Sequence, residues 1–126
     1  MKVTIVGGDA TADGLAAIAG DAEIEARVIA ETPGAERSAA ALAERLRELE
    51  RAILAESPEA VLVVDDTDSA LAAVLVATKL GVAVVTAAEA IPTSSNGRLI
   101  ERLADERLPD GPSGLADWVR TYTEPG

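Results

Sequence analysis

An acidic turn near the middle of the chain brings together the residue types best suited to chemistry. Asp65, Asp66 and Asp68 lie within four consecutive residues, and Thr67 separates the last two. Such carboxylates serve as general acids and bases, or as oxygen ligands that bind magnesium. The same residues suit a structural role, because Thr and Asp cap helix N-termini and the helix dipole stabilises acidic groups there. The residue types alone leave both interpretations open.

A strand and a helix must position this turn. Residues 61–64 form a short apolar run, mostly β-branched, which predicts a strand covered on both faces. Residues 67–69 offer a cap for the next helix, and Gly81 ends that helix before a strand at 82–85. The helix is expected to bury one stripe, made of Leu71, Val74, Leu75 and Thr78. This βαβ unit predicts a parallel sheet and places the acidic turn at the edge where such sheets bind ligands.

A glycine-rich turn follows the first predicted strand, at residues 2–6. Gly7, Gly8 and Asp9 precede a short Ala-rich helix, and a turn of this kind binds anions through backbone N–H groups. The spacing differs from GxGxxG, however, and Asp9 and Asp13 would repel a phosphate. A tight turn with helix caps is therefore the favoured interpretation, and ligand binding by Gly7, Gly8 and Asp9 is the alternative.

A polar loop at 87–96 follows the strand at 82–85 and belongs to the same edge. Either Ser95 or Asn96 is expected to cap a helix over residues 97–104. That helix is expected to bury Leu99, Ile100 and Leu103. The candidate ligand-binding residues at this edge are Thr67, Ser94, Ser95, Asn96 and Arg98. Arg98 is the one well-placed cation. The favoured alternative for it is an ion pair with Glu101, Asp105 or a carboxylate of the acidic turn.

Three further segments complete the predicted sheet and its cover. The alternation at 22–30 predicts an edge strand with Val28 facing the core and Arg27 facing solvent. Residues 36–56 predict a long helix, and a short strand is expected at 106–109. The apolar stripe of the long helix faces the sheet, or in part a second copy of the chain: Ala39, Leu42, Leu46, Leu49 and Ile53.

The predicted fold is a single α/β domain over residues 1–126. It is a three-layer Rossmann-like or flavodoxin-like sandwich, with about five parallel strands and helices on both faces. No Cys and no His occurs among the 126 residues, which removes thiol chemistry and histidine bases. No apolar run is long enough to cross a membrane. The first residues of the sequence are predicted to form a strand and not a targeting segment. We therefore expect a cytoplasmic protein without membrane partners.

The charge balance excludes a further class of partner. The chain carries 22 acidic against 11 basic residues, a net charge of −11. Nucleic-acid backbones bind basic surfaces that release counterions, and stacked bases need aromatic side chains. This acidic chain has one Trp, one Tyr and no Phe, so we expect no nucleic-acid partner.

Three consecutive segments resemble the amino-terminal half of UDP-N-acetylglucosamine 2-epimerases. In that family KPDAVLVHGDTTSALAAALAA is followed by LGIPVAHVEAGLRS and then by PEEINRRLIDHLADLHFAP. This chain has SPEAVLVVDDTDSALAA at 57–73, LGVAVV at 80–85 and NGRLIERLADERLP at 96–109. The order of the motifs and the helix caps is similar from about residue 38 to residue 109.

The resemblance implies a Rossmann-like half of a two-domain glycosyltransferase-type fold, with a nucleotide sugar held between the halves. It implies catalytic roles for Asp66, at the aspartate of "GDT", and Glu89, near the glutamate of "HVEAG". The sequence departs from the family at other motifs. The "GTRPE" whose arginine meets phosphate is GGDAT at 7–11, the His of "HVEAG" is missing, and the "PEE" glutamates fall on 92–94.

These observations favour a non-catalytic domain that binds a nucleotide sugar or completes a partner's cleft, as a homodimer or with a partner subunit. An active epimerase working with a separate subunit is the first alternative. The second is a magnesium-dependent domain that handles phosphoryl groups, with Asp65, Asp66, Asp68 and Glu89 as ligands. The prediction itself includes no metal site and no cofactor, with magnesium kept as the alternative.

Overall fold

Five parallel strands form a single sheet in the computed structural model, which describes residues 2–7, 25–30, 38–86 and 94–108. The spatial order is β2-β1-β3-β4-β5, and every neighbouring pair is parallel. The strands are β1 (Lys2–Gly7), β2 (Glu25–Ala30), β3 (Ala60–Val63), β4 (Ala83–Thr86) and β5 (Glu106–Arg107). The predicted α/β class and the parallel βαβ unit are thus confirmed.

Three helices of the described chain pack in a row over one face of this sheet. They are α1 (Ala39–Glu56), α2 (Asp68–Leu80) and α3 (Ser95–Leu103). The middle helix, α2, contacts both α1 and α3 as well as β1, β3 and β4. None of the three is long and apolar enough to cross a membrane.

Side chains on the two faces of the sheet form separate buried clusters. One cluster joins Val6, Val61 and Val63 to the three helices, and the other contains Val3, Ile5 and Leu62 on the opposite face. Alternate residues of a strand point to opposite faces, so a strand buried on both sides must be apolar throughout. This explains why β3 is an unbroken apolar run.

The order of the strands reverses beside β1, since β2 lies on one side of it and β3 on the other. In open parallel sheets, ligands bind outside the carboxyl ends of the strands where the strand order reverses. The acidic turn leaves β3 at this point. The predicted edge position of β2 is also confirmed.

Several predicted boundaries and caps were wrong by a few residues. The long helix begins at Ala39 and not at residue 36, because Ser38 has an extended backbone and its hydroxyl accepts from the N–H of Ala41. The last described helix spans Ser95–Leu103 and is capped by Ser94 instead of Ser95 or Asn96. The strands at 61–64 and 82–85 lie at Ala60–Val63 and Ala83–Thr86.

Some predicted burial patterns were also wrong. Helix α2 was expected to bury a single stripe, but eight of its residues are buried and they lie all around the helix. Thr78, which belongs to the predicted stripe, is exposed. Leu99 is 47% exposed although Ile100 beside it is fully buried. On β2, the side predicted to face solvent carries Ile29, which packs against the helix-side cluster. The predicted first helix, the turn at 32–34 and the final helix lie outside the described residues.

Candidate functional site

The start of α3 is tied to the acidic turn by two polar side chains. The Ser94 hydroxyl donates to Oδ2 of Asp66 at 2.8 Å and accepts from the N–H of Gly97 at 2.9 Å. Asn96 Nδ2 donates to the carbonyl of Asp66 at 3.1 Å and to Oδ1 of Asp68 at 2.7 Å. The acidic turn and the polar loop therefore lie side by side at the carboxyl edge of the sheet, as predicted.

The acidic turn is also held from within. Oδ1 of Asp65 accepts from the backbone N–H of Thr67 at 3.1 Å and from its hydroxyl at 2.8 Å. The Thr67 hydroxyl in turn accepts from the N–H of Ala70 at 3.2 Å and so caps α2. This side chain-to-backbone turn reverses the chain between β3 and α2.

The three carboxylates of the turn thus serve as hydrogen-bond acceptors for the protein itself. Asp65 bonds to Thr67, Asp66 to Ser94 and Asp68 to Asn96. Among residues 2–7, 25–30, 38–86 and 94–108, no group of three or more acidic side chains is placed to hold a metal ion.

The N-termini of all three described helices surround one open cleft of about 430 Å³ at this edge. We call it the three-helix cleft. It is lined by Ser38, Ala39 and Leu42 of α1, by Asp68 of α2, and by Ser94, Ser95 and Asn96 at the start of α3. Helix N-termini carry partial positive charge, and the carboxylate of Asp68 opposes it. Hydroxyl, amide and carboxylate groups lining one opening suit a ligand rich in hydroxyls.

Gly7 is needed for a close approach between β1 and the end of β3. A Cβ added at this position would lie 2.6 Å from Cγ2 of Val64 and 3.0 Å from Oδ2 of Asp65. The absence of a side chain at Gly7 therefore has a packing explanation. Ligand binding by Gly7 stays a prediction.

Of the seven sequence-predicted site residues that the structure describes, five lie together at one edge, namely Asp66, Thr67, Ser94, Ser95 and Asn96. Arg98 is exposed on α3 outside the lining of the three-helix cleft, and it forms no ion pair within the described residues, although pairing was predicted. Gly8, Asp9 and Glu89 lie outside the described residues.

Sequence reasoning missed the contribution of α1 to this site. Ser38 and Leu42 line the cleft, yet the predicted helix start at residue 36 placed Ser38 inside the first turn. The signal was available, because Ser38 directly precedes an Ala-rich helical run and Ser is a preferred N-cap. A cap at Ser38 would have placed this helix N-terminus at the same edge.

Comparison with known proteins gives a likeness in structure only. No protein-family model matches the sequence, and no curated protein matches it. The UDP-GlcNAc 2-epimerase of Methanocaldococcus jannaschii superposes with a TM-score of 0.73 at 20% identity, over 98% of this chain and 43% of that one. The epimerase of Neisseria meningitidis, solved with UDP-GlcNAc bound, gives 0.73 at 16% identity over 98% and 44%. The S. aureus protein MnaA, solved with UDP, gives 0.71 at 20% identity over 92% and 40%.

The chain therefore has the fold of about two fifths of these solved structures. The resemblance found in the sequence is confirmed at the level of the fold. At this degree of identity the likeness establishes the architecture, and activity has to be argued from the site itself.

Proposed function

We propose that this chain binds a nucleotide sugar in the three-helix cleft, as one half of a two-part binding site, and that it does not catalyse a reaction by itself. The observation that carries the proposal is the convergence of three helix N-termini on one polar cleft at the carboxyl edge of the sheet. Open parallel sheets bind ligands at this edge. The structural neighbours solved with UDP-GlcNAc or UDP support the same ligand class.

The hydrogen bonds of the acidic turn support a binding role over a catalytic one. A general base must reach the proton that it removes. Asp66 already accepts from Ser94, and Asp68 already accepts from Asn96. One oxygen of each carboxylate, Oδ2 of Asp66 and Oδ1 of Asp68, holds α3 in place, so both groups already have a structural role.

The composition of the cleft supports a second half. Among the residues that the structure describes, its lining includes hydroxyl, amide and carboxylate groups but no Lys or Arg. Diphosphates are held most strongly by charge-assisted hydrogen bonds from cations. The chain spans about two fifths of the length of the solved structures that it resembles. A second copy or a separate subunit would supply such cations.

The proposal is tested by adding UDP-N-acetylglucosamine to the full chain and following backbone amides by NMR. Shifts at Ala39, Ser95 and Gly97, without epimerised product, are expected. Absence of shifts at this edge would overturn the binding role. Product formed by the chain, alone or with a second subunit, would establish instead the alternative of an active epimerase.

The magnesium-dependent alternative stays a prediction with a test of its own. Thermal stabilisation by Mg²⁺ alone, lost in Asp66→Asn, would support it. Light scattering on the same sample reports whether the chain pairs with a second copy.

A further inference from the structure

A second cavity lies between β2 and α1, about one turn along α1 from the three-helix cleft. Its volume is about 140 Å³. We call it the α1–β2 cavity. Its walls include Arg27 and Ile29 of β2, Arg45, Glu48 and Leu49 of α1, and Ser69 of α2. No role follows for it from the proposed binding of a nucleotide sugar.

The guanidinium groups of Arg27 and Arg45 line this cavity, and their ion pairs do not use all of their hydrogen-bond donors. Arg27 reaches Oε1 of Glu56 through Nη1 at 2.8 Å. Arg45 reaches Oε2 of Glu48 through Nη1 at 3.3 Å. A guanidinium carries five N–H donors, so each ion pair leaves most of them unused. The Arg45–Glu48 pair is long, and the Glu48 side chain is 63% exposed, so this pair holds Arg45 only weakly.

Two hydroxyl residues on the same side of the sheet are buried. Ser69 is 2% exposed and lines the cavity. Thr4 is 1% exposed and its Oγ1 has no partner. Thr4 is in register with Arg27 on the neighbouring strand, so both side chains point to the same face. Thr4 is not among the residues that line the cavity, so the hydroxyl available to a ligand there is that of Ser69.

We propose that the α1–β2 cavity binds a phosphate group, held by Arg27 and Arg45 and by the hydroxyl of Ser69. Planar guanidinium groups bind phosphate oxygens through paired N–H donors, and a hydroxyl adds a further donor. The cavity is a few times the roughly 30 Å³ of a water molecule, so it takes a single phosphate group and not a whole nucleotide. The phosphate is free in solution or belongs to a small phosphorylated molecule.

The test is calorimetric titration of the full chain with inorganic phosphate and, separately, with glycerol 3-phosphate, at an ionic strength fixed with sodium chloride. Saturable binding is expected, weakened roughly tenfold or more in Arg45→Gln and also weakened in Ser69→Ala. Arg47→Gln is the matched control, because Arg47 is exposed on the same helix and does not line the cavity. Tighter binding of glycerol 3-phosphate identifies a phosphorylated molecule as the source, and tighter binding of inorganic phosphate identifies the free ion.

Amide shifts in the wild-type chain provide a readout that does not depend on a folded variant. Phosphate is expected to move the amides of Arg45, Glu48 and Ser69. The absence of saturable binding would overturn the proposal, as would an equal loss of affinity in Arg45→Gln and Arg47→Gln. Amide shifts confined to the three-helix cleft would also overturn it. Binding of UDP sugars is measured separately, so the two proposals fail independently.

Discussion

The hydroxyl of Ser94 lies 2.8 Å from Oδ2 of Asp66, across 28 residues of sequence. The same hydroxyl accepts from Gly97 and caps α3. The Ser94 side chain thus caps the N-terminus of this helix and also links it by a hydrogen bond to the turn that follows β3. The wall of the three-helix cleft is therefore a single hydrogen-bonded unit, and its position depends on residues from both loops.

Replacing Asn96 is expected to loosen this unit. Asn96→Ala removes the bonds from Nδ2 to the carbonyl of Asp66 and to Oδ1 of Asp68, and leaves partly buried acceptors without a partner. We expect a loss of about 1–3 kcal/mol in the free energy of unfolding, measured with urea. Ser95→Ala is the control, because Ser95 is exposed and makes no hydrogen bond within the described residues. It should change stability by less than about 0.5 kcal/mol. Equal effects of the two substitutions would refute the role given to Asn96.

The coupling between Ser94 and Asp66 is measurable by a double-mutant cycle. Ser94→Ala should cost about 1 kcal/mol or more, because it removes the cap of α3 as well as the bond to Asp66. Asp66→Ala removes only the second of these. We expect a coupling energy of about 0.5–3 kcal/mol from urea unfolding of the two single variants and the double variant. Strict additivity would mean that the two side chains do not stabilise each other in solution.

The sheet was predictable because its local signals agree with one another. The β-branched run ending at Val63, the cap at Thr67 and the stop at Gly81 each have a local cause, and together they define a βαβ unit. Gly81 has a φ of +73°, where a residue with a side chain is strained. From a parallel sheet it follows that Asp66 and Asn96 lie at the same edge, as the structure confirms.

What the sequence failed to predict depends on neighbours that are distant along the chain. Helix α2 is buried on all sides because α1 and α3 flank it, and no periodicity within α2 reports this. Asn96 was predicted as a cap, but its amide bonds to Asp66 and Asp68, which leaves Ser94 as the cap. Several residues near a helix start suit the cap position, and tertiary contacts decide among them.

Gly7 and Gly81 should respond to alanine for different reasons. In Gly7→Ala the new Cβ would meet Cγ2 of Val64 at 2.6 Å, so β1 or the end of β3 must shift, at about 1–3 kcal/mol. In Gly81→Ala nothing lies within 4 Å, and the cost is backbone strain of about 1 kcal/mol.

Asparagine separates the two causes, since it tolerates the left-handed backbone better than alanine does. Gly81→Asn should be more stable than Gly81→Ala, whereas Gly7→Asn should be no better than Gly7→Ala. Thermal unfolding of the four variants measures both differences. Recovery of stability in Gly7→Asn would show that crowding by Val64 does not explain the need for glycine.

Filling the three-helix cleft should abolish the proposed binding of a nucleotide sugar without unfolding the chain. Ser95 is suited to this test, because it lines the cleft and is exposed. Ser95→Trp places a large side chain in the opening, so a UDP sugar should lose at least about tenfold in affinity, which corresponds to ~1.4 kcal/mol. Leu99→Trp is the control, because Leu99 is 47% exposed on the same helix and lies outside the cleft lining. If both variants bind like the wild type, the ligand lies elsewhere and the cleft is not the site.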